Sequence, residues 1–169
     1  MTAASTEAYD QFAAAAAEYG VELTRVPADE ATEAIADLIA EPAVGTALPW
    51  DDLSLPEGVP TDPTPAALDA AVTGVTGAEL AVADYGSVFL PGTPDGAEPV
   101  SLFVDRHVFV LRERDVVPDM VAAFDRLGDR FREDRASGIL ATGPSATADM
   151  GALVQGAHGP KAVYGVVVP

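Results

Sequence analysis

The strongest constraint on the fold of this chain is a sequence that switches repeatedly, over short distances, between helical and strand periodicity. Thr6 to Tyr19 is alanine-rich, with Tyr9, Phe12, Ala16 and Tyr19 spaced by three and four residues. That spacing predicts a helix, and Gly20 ends it. Val21 to Val26 alternates like a strand and stops at Pro27. Asp29 is placed to cap a second helix running to Ala40, with Ile35, Leu38 and Ile39 apolar, and Ala43 to Leu48 reads as a short strand closed by Pro49. The same succession returns near the end. Arg106 to Leu111 is a strand, with Val116 and Val117 as an extension, and Pro118 to Arg132 is an amphipathic helix whose apolar residues include Met120, Val121, Phe124, Leu127 and Phe131. Helices alternating with strands predict an α/β fold: a mixed, mostly parallel sheet flanked by helices.

The middle of the chain is less regular. Trp50 to Pro65 carries Pro56, Pro60, Pro63 and Pro65 with Gly58, which predicts an ordered surface loop up to a helix at Ala66 to Val72. Ala78 to Asp84 and Ser87 to Leu90 are two short apolar runs separated by Tyr85-Gly86, the spacing of a hairpin. Pro91 to Pro99 reads as another loop. With 169 residues, 49% of them apolar, one substantial core is affordable, and a single domain is expected over 1–169.

Charge excludes some functions. The chain holds 27 acidic residues against nine basic ones, for a net charge of −18, and Lys161 is its one lysine. The acids recur along the whole length between apolar residues, so they describe the solvated surface of a folded domain and not a disordered tail. Such a composition resembles proteins of salt-loving microbes, where ions screen the self-repulsion. No basic face is visible for nucleic acid. Cysteine is absent, so this chain offers no disulfide, no thiolate zinc site, no cysteine-ligated iron–sulfur cluster and no cysteine nucleophile. The first residues include Glu7 and Asp10 and do not resemble a signal peptide, and no window matches the ~20 apolar residues of a membrane span. A soluble, cytoplasmic protein is expected, without a membrane partner and with no cofactor; exposed strand edges make a homodimer a mild expectation.

Small polar residues gather late in the chain. The strand Ser137 to Thr142 opens into Gly143-Pro144-Ser145-Ala146-Thr147-Ala148-Asp149, then a short helix, then Gly156-Ala157-His158-Gly159-Pro160-Lys161, then the last strand, Ala162 to Val168. This predicts a crevice outside the carboxyl ends of the parallel strands. Ser145 or Thr147 can cap the following helix, whose first-turn amides would suit a phosphate or carboxylate, with Gly143 and Pro144 forming the turn. Plain capping accounts for the same residues equally well. His158, between glycines, is a candidate general acid or base, or a loop-structuring side chain. Asp84 is a candidate catalytic carboxylate and also a routine turn residue, and Glu79 reads as a solvated surface charge. Lys161 could pair with an anionic ligand. His107 lies in a strand with one core face and reads as a satisfied buried or half-buried histidine. With two histidines and no second ligand at metal spacing, no metal site is expected.

Gly74 to Val88, with its Thr76-Gly77, Asp84 and Gly86-Ser87, together with His107, Gly143-Pro144-Ser145 and Gly156-Ala157-His158-Gly159-Pro160, resembles the LUD (lactate-utilisation) domain family. The resemblance spans roughly residues 70–168 and departs at Tyr85, where the family pattern often has threonine. It implies a fold similar to the three-layer NagB/RpiA and CoA-transferase superfamily, with small substrates bound at sheet-edge loops, and a role in oxidising lactate beside separate iron–sulfur subunits. The candidate site residues, read from their own chemistry, are Asp84 and His158 for catalysis, and Thr76, Gly77, Gly86, Ser87, Gly143, Pro144, Ser145, Thr147, Gly159 and Lys161 for a small anionic ligand. Three functions remain open on this footing: a non-redox accessory subunit, a stand-alone enzyme on a phosphorylated sugar, folate or CoA-linked acid, and a ligand-binding sensor.

Overall fold

The computed structural model describes residues 3–133, 137–149, 152–156 and 158–169. In chain order the elements are α1 (Ala3–Glu18), β1 (Val21–Arg25), α2 (Ala31–Leu38), β2 (Ala43–Gly45), α3 (Pro65–Ala70), β3 (Thr73–Gly77), β4 (Leu80–Val82), β5 (Ser87–Pro91) and α4 (Ala97–Leu102). They continue with β6 (Arg106–Arg112), β7 (Val116–Val117), α5 (Met120–Glu133), β8 (Gly138–Ala141), β9 (Ala146–Asp149), β10 (Ala152–Gln155) and β11 (Ala162–Val168).

The α/β reading holds, with a partition that periodicity does not specify. Strands β1-β11-β6-β3-β2 form one five-stranded sheet, parallel throughout. The hairpin β4–β5 belongs to a second, mixed sheet ordered β7-β4-β5-β8, while β9 and β10 pair with each other, antiparallel, in a two-stranded ribbon.

Alternation along the strands builds the layers. On β6, Val108 and Val110 face a core shared with Ile35 and Leu53, whereas Phe109 and Leu111 face the opposite core, with Phe12, Val88, Leu90 and Val163. That second core lies between the two sheets and takes in α1. Beyond the mixed sheet, Leu80, Val82 and Phe89 pack on Ala123 and Leu127, and the Phe89 and Phe131 rings meet edge to face at 5.8 Å. Only one stripe of α5 is therefore covered; Val121 and Phe124, part of the expected apolar face, are exposed.

Several local expectations change. Asp29 lies within a 3-10 turn, Ala28–Glu30, and neither this turn nor α2 carries a side-chain cap. The expected short helix after Ser145 is the β9–β10 ribbon, so neither Ser145 nor Thr147 caps a helix there. The glycine segment before the hairpin is strand β3, and the stretch read as a Pro/Gly loop contains α4. Both follow from packing: a Cβ on Gly74 would sit 2.3 Å from the Val100 carbonyl oxygen, so the bare backbone lets α4 lie against β3.

Candidate functional site

A cavity of about 540 Å³ lies between the two sheets. Val21, Val163 and His107 line it from the first two positions of β1, β11 and β6, so it opens at the amino ends of the parallel strands, and the expected carboxyl-end position is corrected. Phe109, Val88 and Ile139 add apolar lining. The polar lining comes from Tyr19, Ser101, His107, Thr142, Ser145 and His158.

Backbone ties bring the two late loops together. The Ser145 N–H donates to the Pro160 carbonyl at 2.9 Å, and the Gly156 N–H donates to the Ser145 carbonyl at 2.8 Å. Gly159 then packs so closely that its Cβ would meet the Ser145 Cβ at 3.0 Å. Gly143 has φ of +62°, and a Cβ there would lie 2.7 Å from the Tyr19 carbonyl oxygen; only glycine lets the β8 exit pass the end of α1. Tyr19 itself, 55% exposed, stands beside the cavity.

Of the residues expected at the site, Gly86, Gly143, Pro144, Ser145, His158 and Gly159 line this cavity. Two more support it from behind. Ser87 Oγ shares a 2.6 Å hydrogen bond with Thr142 Oγ1, and Thr76 Oγ1 shares a 2.9 Å one with His107 Nε2. The others are elsewhere. Gly77 lines a separate concavity at the far end of β3. Asp84 is exposed on the hairpin turn, its N–H donating to the Pro118 carbonyl, and it does not line the cavity that His158 borders. Lys161 is exposed and paired with Asp105 at 2.8 Å. Thr147 pairs through its backbone with Val154, while its side chain and all of Ala157 lie outside the described residues. Tyr19 and Ser101 were not legible as site residues: one ends a predicted helix, and the other falls between the loop read to Pro99 and the strand from Arg106, where no element was assigned.

Chemically the cavity is a hydroxyl and imidazole site over an apolar floor. Among the described residues no arginine, lysine, aspartate or glutamate lines it. Anion binding at a helix N-terminus is corrected as well, since strand β9 directly follows Ser145. Among the described residues no group of histidine and carboxylate side chains is placed to hold a metal ion, and no helix is long and apolar enough to cross a membrane.

Comparison with known families adds a decisive observation: the model of the LUD domain matches residues 63–168. The chain belongs to the LUD domain family. It is 32% identical to lactate utilization protein C of Deinococcus radiodurans over 96% of its own length and 80% of that protein. It is 33% identical to lactate utilization protein C of Bacillus subtilis over 57% of its own length and 42% of that protein. The crystal structure of a DUF162 family protein from Deinococcus radiodurans superposes with a TM-score of 0.75 at 26% identity, covering 98% of both chains. Tyr19 and Val21 precede the part of the chain matched to the LUD domain, so the turn after α1 and the start of β1 complete a cavity that the domain match covers only in part.

In this LUD domain His107 is buried, and burial pushes its imidazole from the ordinary 6.5 down to about 4. The folded protein therefore holds a neutral ring where the unfolded chain takes up a proton. Between about pH 6.5 and 4 the unfolded state binds more protons, so stability falls as pH falls through that window, by about 3 kcal/mol in all. Urea unfolding at stepped pH should show this loss in the wild type and a smaller one in His107→Gln. Identical pH dependence in the two proteins would refute it.

Proposed function

We propose that this LUD domain serves lactate utilisation as a non-redox component, and that the cavity between its sheets binds a small hydroxy or keto acid. The relatives' names supply the process. The chain contains no cysteine, so it provides no thiolate for an iron–sulfur cluster, and binding or presentation of a substrate is the role its own residues support.

One observation carries the reading: the Ser145–Pro160 and Gly156–Ser145 backbone bonds hold Ser145 and His158 at one opening above an apolar floor. A short carbon chain would rest on Val21, Val163 and Phe109, while the carboxylate and the hydroxyl or keto oxygen meet Ser145, Thr142 and the His158 ring. Asp84 does not line this cavity, which favours binding over acid–base turnover by an Asp84–His158 pair.

The test is thermal unfolding in molar KCl with L-lactate, pyruvate, longer 2-hydroxy acids and acetate. A ligand at a hundred times its dissociation constant adds about 2.7 kcal/mol of stability. The increment should appear with a hydroxy or keto acid, disappear in Ser145→Ala and His158→Ala, and persist in Lys161→Ala. A midpoint indifferent to every acid, or a shift untouched by the first two substitutions, would overturn the reading.

A further inference from the structure

A second concavity, of about 500 Å³, opens at the opposite edge of the parallel sheet, where β3 ends at Gly77 and β6 leads into Arg114 and Asp115. Pro49 and Trp50 form one wall, and a Cβ on Gly77 would approach Pro49 Cδ to 2.7 Å, so glycine is what lets that wall close on the strand. Arg126 and Arg130 line it from α5.

Its charge is opposite to that of the molecule. In a chain of net charge −18 with nine basic residues, three arginines line this one depression, against two acids, Glu79 and Asp115. Glu79 pairs with Arg130 and Asp115 with Arg126. Glu79, expected to be a solvated charge, is thus half-buried and engaged. Arg114 is exposed and forms no ion pair among the described residues. Behind the wall, Arg112 bonds Asp52 and lies with its guanidinium carbon 5.7 Å from the Trp50 ring centre. The Asp52 carboxyl is held below its ordinary range, chiefly by the Arg112 hydrogen bond.

Three guanidinium groups beside two carboxylates leave an uncompensated positive charge in a concave, partly apolar setting, where the field is focused. Guanidinium forks match the oxygens of phosphates and carboxylates, two bonds at a time. Trp50 and Pro49 offer a flat apolar surface for the remainder of a ligand.

We propose that this concavity is a second binding site, for a small organic oxyanion carrying at least two negative charges. Its charged head engages Arg114, with Arg130 and Arg126 drawn from their carboxylate partners, and its apolar part lies against Trp50. The site is separate from the small-acid cavity and does not depend on that assignment.

Trp50 is the chain's single tryptophan, so its emission reports on this wall alone. Inorganic phosphate, citrate and acetate would be titrated at constant ionic strength in KCl. A saturable change in Trp50 emission is expected with phosphate or citrate and not with acetate, and whichever of the two binds tighter identifies the head group as phosphate or polycarboxylate. Arg114→Ala should weaken binding roughly tenfold, the worth of one charge-assisted contact, without a loss of folding, because that side chain is exposed. Glu79→Gln, which releases Arg130, should tighten it several-fold, while Asp69→Asn, the same charge change on the exposed side of α3, should leave it unchanged. The absence of a saturable signal with either multivalent anion, or equal affinity in the wild type and Arg114→Ala, would overturn the proposal. The lactate and pyruvate responses of the first cavity are read separately through His158→Ala, so the two assignments fail independently.

Discussion

Phe109→Ala is expected to lower the unfolding free energy by about 3–5 kcal/mol, among the largest effects of any single substitution in this protein. The ring is 1% exposed and sits on β6, a central strand of the parallel sheet, pointing into the core between the sheets. Its space is created by the neighbouring strand: β11 carries Gly165 opposite Phe109, and a Cβ there would fall 2.4 Å from Phe109 Cζ. The loss therefore combines the transfer of a large apolar side chain with a void that two strands, anchored by pairing on both sides, close poorly. Urea unfolding at fixed KCl checks the figure. A cost below about 1 kcal/mol would show that the core collapses around the deletion. Gly165→Ala alone should also destabilise, by overpacking, and combined with Phe109→Ala it should cost less than the sum. Because Phe109 also lines the first cavity, the same truncation should weaken the small-acid response there.

Gly86→Ala is expected to cost about 2–5 kcal/mol, from two sources of known size. The residue has φ of +61°, a conformation that costs a residue with a Cβ about 1–2 kcal/mol. Its Cβ would also lie 2.6 Å from the Ala16 nitrogen and 2.7 Å from the Ala15 carbonyl carbon, both backbone atoms of α1 that no rotamer change can move, and overpacking of this kind adds about 1–3 kcal/mol. Gly20→Ala separates the two contributions, since it shares the positive φ, +77°, with no atom within 4 Å. It should cost only the strain. Thermal unfolding of the pair gives the difference directly, and equal losses would rule out the steric part. The same contact seats the hairpin turn on the backbone of α1 where Ala16 is buried.

Residue pattern alone was sufficient where one face of an element meets a continuous core. β1, β6 and β11 appear where alternation or apolar runs placed them, as do α1, α2 and α5, because burying one stripe or one side requires that periodicity whatever the partner. The hairpin was legible from Tyr85-Gly86 for the same local reason, and the buried state of His107 from its place in a strand.

What stayed hidden depended on neighbours distant in sequence. Pro99 reads as a helix breaker, yet it occupies the third position of α4, in the first turn, where its missing N–H has no helical partner to lose. The glycines of β3 carry no strand signal in the sequence, and their role is to admit Val100 and Pro49. The segment after Ser145 carries the local signals of a capped helix, yet Ala146–Asp149 and Ala152–Gln155 pair as a ribbon, because weak helical propensity yields to tertiary context. The residues themselves therefore determined an α/β chain with polar loops grouped near its end. Only the packing of two sheets determined that these loops meet Tyr19, Ser101 and His107 at the amino edge, and that three arginines gather at the other. Periodicity records which face of an element is buried, whereas the position of a site depends on which edges the fold brings together.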